Sequence, residues 1–221
     1  MKKVVVLLSG GLDSTTLAYL LKSEGYKLFT LSFNYGQRHK KELECAEEIA
    51  KILNSTHKTV DITSITSLIS KGALTGSTPV PHSHYTAETQ KITIVPNRNS
   101  ILLSLAFGYA VKLGISNVAY AAHKNDFTIY PDCREDFASR FEDAIRWAND
   151  NFKLNLLRPF INKTKAEIVK LGLSLKVPYQ KTWSCYEGDD LACGQCGTCQ
   201  ERLEAFRLNN AKDPIQYKVT I

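Results

Sequence analysis

The run Val4-Val5-Val6-Leu7-Leu8, followed at once by Ser9-Gly10-Gly11-Leu12-Asp13-Ser14, constrains this chain more than any other feature. Five apolar, mostly β-branched residues suit a strand buried on both faces, the habit of parallel sheets. Leu17, Leu20 and Leu21 then recur at helical spacing, so a glycine-rich turn joins that strand to a helix over Ser14–Ser23. A helix N-terminus presents unpaired N–H groups and the positive end of its dipole. Gly10 and Gly11 let an anion approach the backbone, and Ser9, Ser14, Thr15 and Thr16 add hydroxyls. Asp13 is discordant beside a phosphate unless a cation lies between them, which points to Mg²⁺. A plainer reading, a tight turn capped by Ser and Asp, stays open. The turn has neither the lysine of G-x-x-x-x-G-K-[ST] nor the spacing of G-x-G-x-x-G.

The alternation continues along the chain. Strands are expected at Lys27–Phe33, Thr56–Ile62, Asn117–Ala121 and Asn155–Leu157. Helices are expected at Glu42–Leu53, Ser100–Leu113, Glu135–Asn149, Lys163–Leu171 (stopped by Gly172) and Thr198–Leu208. This order predicts an α/β fold with a doubly wound parallel sheet. The stretch 63–95, with Gly72, Gly76, Pro79 and Pro81, reads as a substrate or lid loop carrying one or two short helical turns.

A formal charge of +6 over 221 residues is mild, and the basic residues are scattered. The densest run, Arg38-His39-Lys40-Lys41, reads as a solvated helix face. An anionic small molecule explains this charge better than a nucleic acid. The leading apolar run is shorter than a signal-peptide core, and no run approaches a membrane span. A cytoplasmic chain with reduced thiols is the expectation.

Cys45 and Cys133 stand alone, whereas Cys185, Cys193, Cys196 and Cys199 crowd together. Four thiolates at this spacing suit a tetrahedral structural zinc site, which leaves no open position to activate water. An iron–sulfur cluster also takes four cysteines, and redox C-x-x-C pairs are a third use.

Ser9–Ser14 resembles the SGGxDS signature of the PP-loop ATP pyrophosphatase superfamily. Thr182-Trp183-Ser184-Cys185-Tyr186-Glu187-Gly188, with Cys193-Gly194-x-Cys196-Gly197-x-Cys199-x₂-Arg202, is similar to the C-terminal signature of the 7-cyano-7-deazaguanine synthase family. Asn34-Tyr35-Gly36-Gln37-Arg38-His39, Val95-Pro96-Asn97-Arg98-Asn99 and Tyr130-Pro131-Asp132-Cys133-Arg134-x₂-Phe137 resemble further segments of that family, in its order. Asn97 stands where many members carry Gly, and His123-Lys124-Asn125-Asp126 departs from the G-x-N-x-x-D pattern of bacterial members.

The resemblance implies a Rossmann-like, adenine nucleotide alpha hydrolase-like domain over 1–182. A small Cys₄ zinc-binding loop and closing helix would follow over 183–221. It implies an ATP-dependent C–N ligase. The enzyme would adenylate 7-carboxy-7-deazaguanine, admit ammonia to form an amide, and activate the amide again to yield the nitrile. Ser9, Gly10, Gly11, Leu12, Asp13, Ser14, Thr15 and Thr16 would hold ATP with Mg²⁺. Asp13, Arg98 and Lys163 would act in catalysis, the two cations facing phosphate or carboxylate charge. Asp126, Tyr130, Asp132 and Arg134 would bind the purine, a carboxylate accepting from its donor edge. Cys185, Cys193, Cys196 and Cys199 would hold one structural zinc. The partners would be small molecules, with no nucleic acid and no membrane, and a homodimer stays open.

Plainer roles stand beside these. Arg98 suits a helix cap or salt bridge, and Lys163 suits a solvated helix start. Cys133 reads as a packed residue. His39, His57, His82, His84 and His123 show no triad or metal spacing, and Trp183 and Tyr186 either stack on a base or anchor the cysteine loop. The alternatives in function are a PP-loop tRNA-modifying ligase or thiolase, which needs room for an RNA-binding domain, and a zinc-ribbon nucleic-acid module. The tail after Leu191 is poor in the basic and aromatic residues such a module uses.

Overall fold

The computed structural model describes residues 1–37, 40–69, 95–128, 130–149, 152–188 and 190–219. Its strands are β1 (Lys3–Leu7), β2 (Lys27–Asn34), β3 (Thr56–Asp61), β4 (Asn117–Ala119) and β5 (Asn155–Leu157). Its helices are α1 (Leu12–Ser23), α2 (Lys41–Ile52), α3 (Thr63–Ile69), α4 (Arg98–Lys112), α5 (Glu135–Ala148), α6 (Lys165–Ser174) and α7 (Gly197–Leu208). The strands pair in parallel, in the order β3-β2-β1-β4-β5. The expected doubly wound α/β sheet is therefore present.

The apolar run of β1 reflects its central position. Val5 lies opposite Phe29 of β2 and Val118 of β4. Alternating side chains send Val4 and Val6 into a core with Leu17 of α1, Ile49 of α2, Ile168 of α6 and Phe206 of α7. Val5 enters the other core, with Leu103 and Phe107 of α4 and Ala138 of α5. All three valines are fully buried, worth about 1.5–3 kcal/mol each. The strand order reverses between β1 and β4, so a crevice opens there at the carboxyl ends of the strands.

Two local expectations need correction. The helix placed at Lys163–Leu171 begins at Lys165 and passes through Gly172 to Ser174. Thr164 caps it: its hydroxyl accepts from the Glu167 N–H, and the Glu167 carboxylate accepts from the Thr164 N–H at 2.7 Å. Gly172 serves space rather than termination, because a Cβ there would collide with the Tyr179 hydroxyl. Asn97 lies in the left-handed region (φ 56°) just before α4, a conformation open to Gly and Asn. The expected loop 63–95 opens with α3 and ends at buried Val95. Residues 70–94, including His82 and His84, lie outside the described residues, as do Arg38 and His39.

The last quarter of the chain packs back onto the first. The Trp183 N–H donates to the Gly10 carbonyl at 3.0 Å. Arg202, almost wholly buried, donates to both Asp213 oxygens (2.7 and 3.0 Å), to Thr182 Oγ1 (2.8 Å) and to the Tyr179 carbonyl (3.0 Å). The Tyr179 hydroxyl in turn lies 2.8 Å from Thr16 Oγ1. No described helix is long and apolar enough to cross a membrane.

Candidate active site

Residues far apart in sequence meet at the switch point around a cavity of about 270 Å³. The glycine-rich turn is braced by its own hydroxyls. Ser9 Oγ and Ser14 Oγ are 2.9 Å apart, the Ser9 N–H donates to Ser14 Oγ, and the Gly11 N–H donates to Ser9 Oγ. Ser9, Gly11, Leu12, Asp13 and Ser14 line the cavity; Gly10, Thr15 and Thr16 do not. Gly10 (φ 85°) is pressed against α2 instead, where a Cβ would strike the Glu42 carbonyl. Thr16 turns inward and donates to the Leu12 carbonyl at 2.8 Å.

A chain of charge borders this turn. Lys165 Nζ stands 3.5 Å from Asp13 Oδ2 and 3.0 Å from Glu201 Oε2. His123 Nε2 lies 3.6 Å from Asp13 Oδ2 and 3.4 Å from Asp126 Oδ2. Burial would raise the Asp13 carboxyl, but Lys165 and His123 overcome it and hold the group well below the usual carboxylate range. Burial opposes charge on Lys165, yet Asp13, Glu201 and Asp126 keep it above an ordinary lysine. His123 is likewise raised, because Asp126 and Asp13 outweigh its burial. Burial pushes Asp126 up, against the pull of His123 and Lys165. Asp13 Oδ1 is buried without a hydrogen-bond partner among the described residues, so its lone pairs suit a cation.

Another part of the wall is formed by Tyr35, Gln37, Glu42, Arg98 and Tyr186. Arg98 opens α4 and is hydrogen-bonded to the Tyr35 hydroxyl. Glu42, in the first turn of α2, is pushed up to about 7 by burial, with Arg98 drawing it back.

Asp126 and Tyr130 also line the cavity, but Lys163, Asp132 and Arg134 do not. The Lys163 N–H donates to the Phe160 carbonyl, and the Lys163 carbonyl accepts from the Lys124 N–H. The cavity's lysine is Lys165, because the Thr164 cap starts α6 there. Asp132 accepts from the Asn99 N–H at 3.1 Å, which fixes the start of α4 beside Arg98. Arg134 Nε donates to the Phe127 carbonyl at 2.9 Å. Cys133 is buried, and desolvation pushes its thiol up, away from a reactive thiolate. Sequence reasoning missed Glu42, His123, Lys165 and Glu201. The Thr164–Glu167 capping box was a signal for Lys165.

The four clustered cysteines bring their Sγ atoms within 4.8 Å of one another, a set able to hold a metal ion. Cys185 Sγ accepts from the N–H groups of Glu187 (3.4 Å), Gly188 (3.0 Å) and Cys193 (3.2 Å). Cys193 Sγ accepts from those of Gln195 (3.4 Å) and Cys196 (3.2 Å). Such donors stabilise thiolates. Cys196 is the N-cap of α7, and Cys199 lies in its first turn, where the dipole adds to that effect. The same segment supplies Ser184, Tyr186, Thr198 and Glu201 to the cavity wall.

Among solved structures, the chain resembles NMN synthetase from Francisella tularensis (TM-score 0.53, 16% identity, 96% of this chain and 78% of that one). It also resembles the U34-tRNA thiolase NcsA from Methanococcus maripaludis (TM-score 0.52, 15% identity, 95% and 64%). At such identities these matches speak for the fold alone. Curated relatives are much nearer. A 7-cyano-7-deazaguanine synthase of Archaeoglobus fulgidus is 54% identical over 213 residues, 96% of this chain and 89% of the relative. One of Hahella chejuensis is 50% identical, over 98% of this chain and 93% of the relative. The model of the family described as "Queuosine biosynthesis protein QueC" matches residues 3–210. With the glycine-rich turn, the switch-point cavity and the cysteine cluster in place, the chain belongs to the QueC family.

Proposed function

We propose that this chain makes 7-cyano-7-deazaguanine from 7-carboxy-7-deazaguanine, ammonia and ATP. A carboxylate is a poor electrophile. Transfer of AMP to its oxygen, with loss of pyrophosphate, supplies a leaving group. Ammonia displaces AMP to give an amide, and a second adenylation, on the amide oxygen, lets that oxygen depart with AMP as the nitrile forms.

The observation that carries this reading is the meeting of the Gly11–Ser14 turn, the Asp13–Lys165 pair and Arg98 around one cavity. The turn receives the ATP phosphates at a helix N-terminus. Lys165 and Arg98 offset negative charge as pyrophosphate leaves, a positioning and electrostatic role. Asp126 and Tyr130 face the purine, while Asp132 and Arg134 support the wall from behind. Asp13, whose Oδ1 has no hydrogen-bond partner among the described residues, is the residue suited to Mg²⁺, which would supply neutralisation of pyrophosphate charge. We assign structural zinc to the four thiolates, residues 1–182 to the nucleotide-binding domain and 183–221 to its zinc-binding cap. The reaction belongs in the reducing cytoplasm and involves no nucleic acid.

The test is incubation of the purified chain with ATP, Mg²⁺, ammonium and 7-carboxy-7-deazaguanine. Nitrile, AMP and pyrophosphate are expected, and absence of nitrile overturns the reading. Salt-dependent binding of tRNA would speak for an RNA substrate instead.

A further inference from the structure

The carboxylates lining the cavity differ in their engagements. Asp13 is held by Lys165 and His123, Asp126 by His123, and Glu201 by Lys165. Glu42 is different. It lies in the first turn of α2, and its backbone carbonyl packs on Gly10, so it is fixed beside the phosphate turn. The charged group that acts on it among the described residues is Arg98 of α4. Tyr35, ahead of α2, and Cys45, further along that helix, are the titratable groups that feel its charge.

The reaction has a proton requirement that these groups must meet. At neutral pH ammonia is carried mainly as ammonium, whose nitrogen has no free lone pair. Asp13 is too acidic to take its proton, and Lys165 remains protonated. Arg98 remains protonated as well. A half-buried carboxylate on the cavity wall, with no lysine or histidine in ion-pair contact among the described residues, attracts the cation while ionised and accepts its proton.

Resting on the function proposed above, we propose that Glu42 forms an ammonium subsite and is the base that releases ammonia there. Its carboxylate takes one proton from ammonium. The freed lone pair forms the C–N bond to the acyl carbon, and the C–O bond to AMP breaks with its electron pair leaving on AMP. A second proton passes from nitrogen to solvent as the amide becomes neutral. The carboxyl, pushed up to about 7 by burial, holds and releases a proton near neutrality.

The experiment compares the parent chain with Glu42→Gln, which keeps the side-chain size and removes the base. ATP–pyrophosphate exchange dependent on 7-carboxy-7-deazaguanine needs no nitrogen donor and reports adenylation. Product formation is then measured at neutral pH with ammonium and with hydroxylamine, whose nitrogen is largely unprotonated there. The variant is expected to lose about 10²-fold or more with ammonium, yet less than about tenfold with hydroxylamine, while exchange persists. Equal losses with both nucleophiles overturn the proposal. So does a loss of exchange, or a raised KM for the deazaguanine in exchange, which would give Glu42 to adenylation or to the purine. Absence of exchange in the parent chain overturns the proposed function itself.

Discussion

Gly10 and Asp13 illustrate how single residues carry the site. At Gly10 the missing side chain lets α2 touch the glycine-rich turn, and φ is 85°. Gly10→Ala combines left-handed strain with a backbone collision, so a loss of at least about 2 kcal/mol is expected. Thermal unfolding measures it, and a parental melting temperature would contradict the close approach. Asp13 makes a pH prediction. Its folded carboxyl lies below the ordinary value of 3.8, through Lys165 and His123 working against burial. Its contribution to stability is therefore present above that value and lost as pH falls through the folded one. Asp13→Asn should melt below the parent at neutral pH, with the gap narrowing in acid; a gap that widens in acid refutes the sign.

At the scale of elements, α7 is the piece that joins the cysteine centre to the sheet. Arg202 on this helix satisfies Asp213, Thr182 and the Tyr179 carbonyl at once. Arg202→Met strands the buried Asp213 carboxylate and is expected to cost about 3–5 kcal/mol. Adding Asp213→Leu should recover much of that loss in denaturant unfolding; a fully additive double variant would deny the pairing. The run of β1 and the leucine spacing of α1 make the parallel α/β sheet legible, because burial on both faces writes itself into local sequence; the strand order comes only from the structure. The start of α6 was misplaced because Lys163 fits a helix opening as well as Lys165 does, and the capping box decides between them. Gly172 reads as a stop in the sequence because a glycine that frees φ looks the same there as one that frees volume. Its partner Tyr179 lies beyond the helix, outside any local pattern. His123 was illegible for a similar reason, since Asp13 is distant in the chain and meets it only through the fold.

The whole molecule brings the two ends of this stretch of sequence to one place. The turn after β1 supplies Ser9, Gly11, Leu12, Asp13 and Ser14 to the cavity wall, and the cysteine segment supplies Ser184, Tyr186, Thr198 and Glu201. Removing the metal from the purified protein is expected to lower its melting temperature and abolish nitrile formation together, with zinc restoring both. About one zinc per chain is expected by elemental analysis. Full turnover in the chelated chain would show that the cysteine loop does not shape the cavity. The hydrogen bond from Trp183 to Gly10 has a consequence for the newborn chain as well. A ribosome makes the glycine-rich turn early, but the facing wall of the cavity emerges some 170 residues later, counting from Ser14 to Ser184. A fragment released before Ser184 thus lacks the part of the cavity wall that Ser184, Tyr186, Thr198 and Glu201 form.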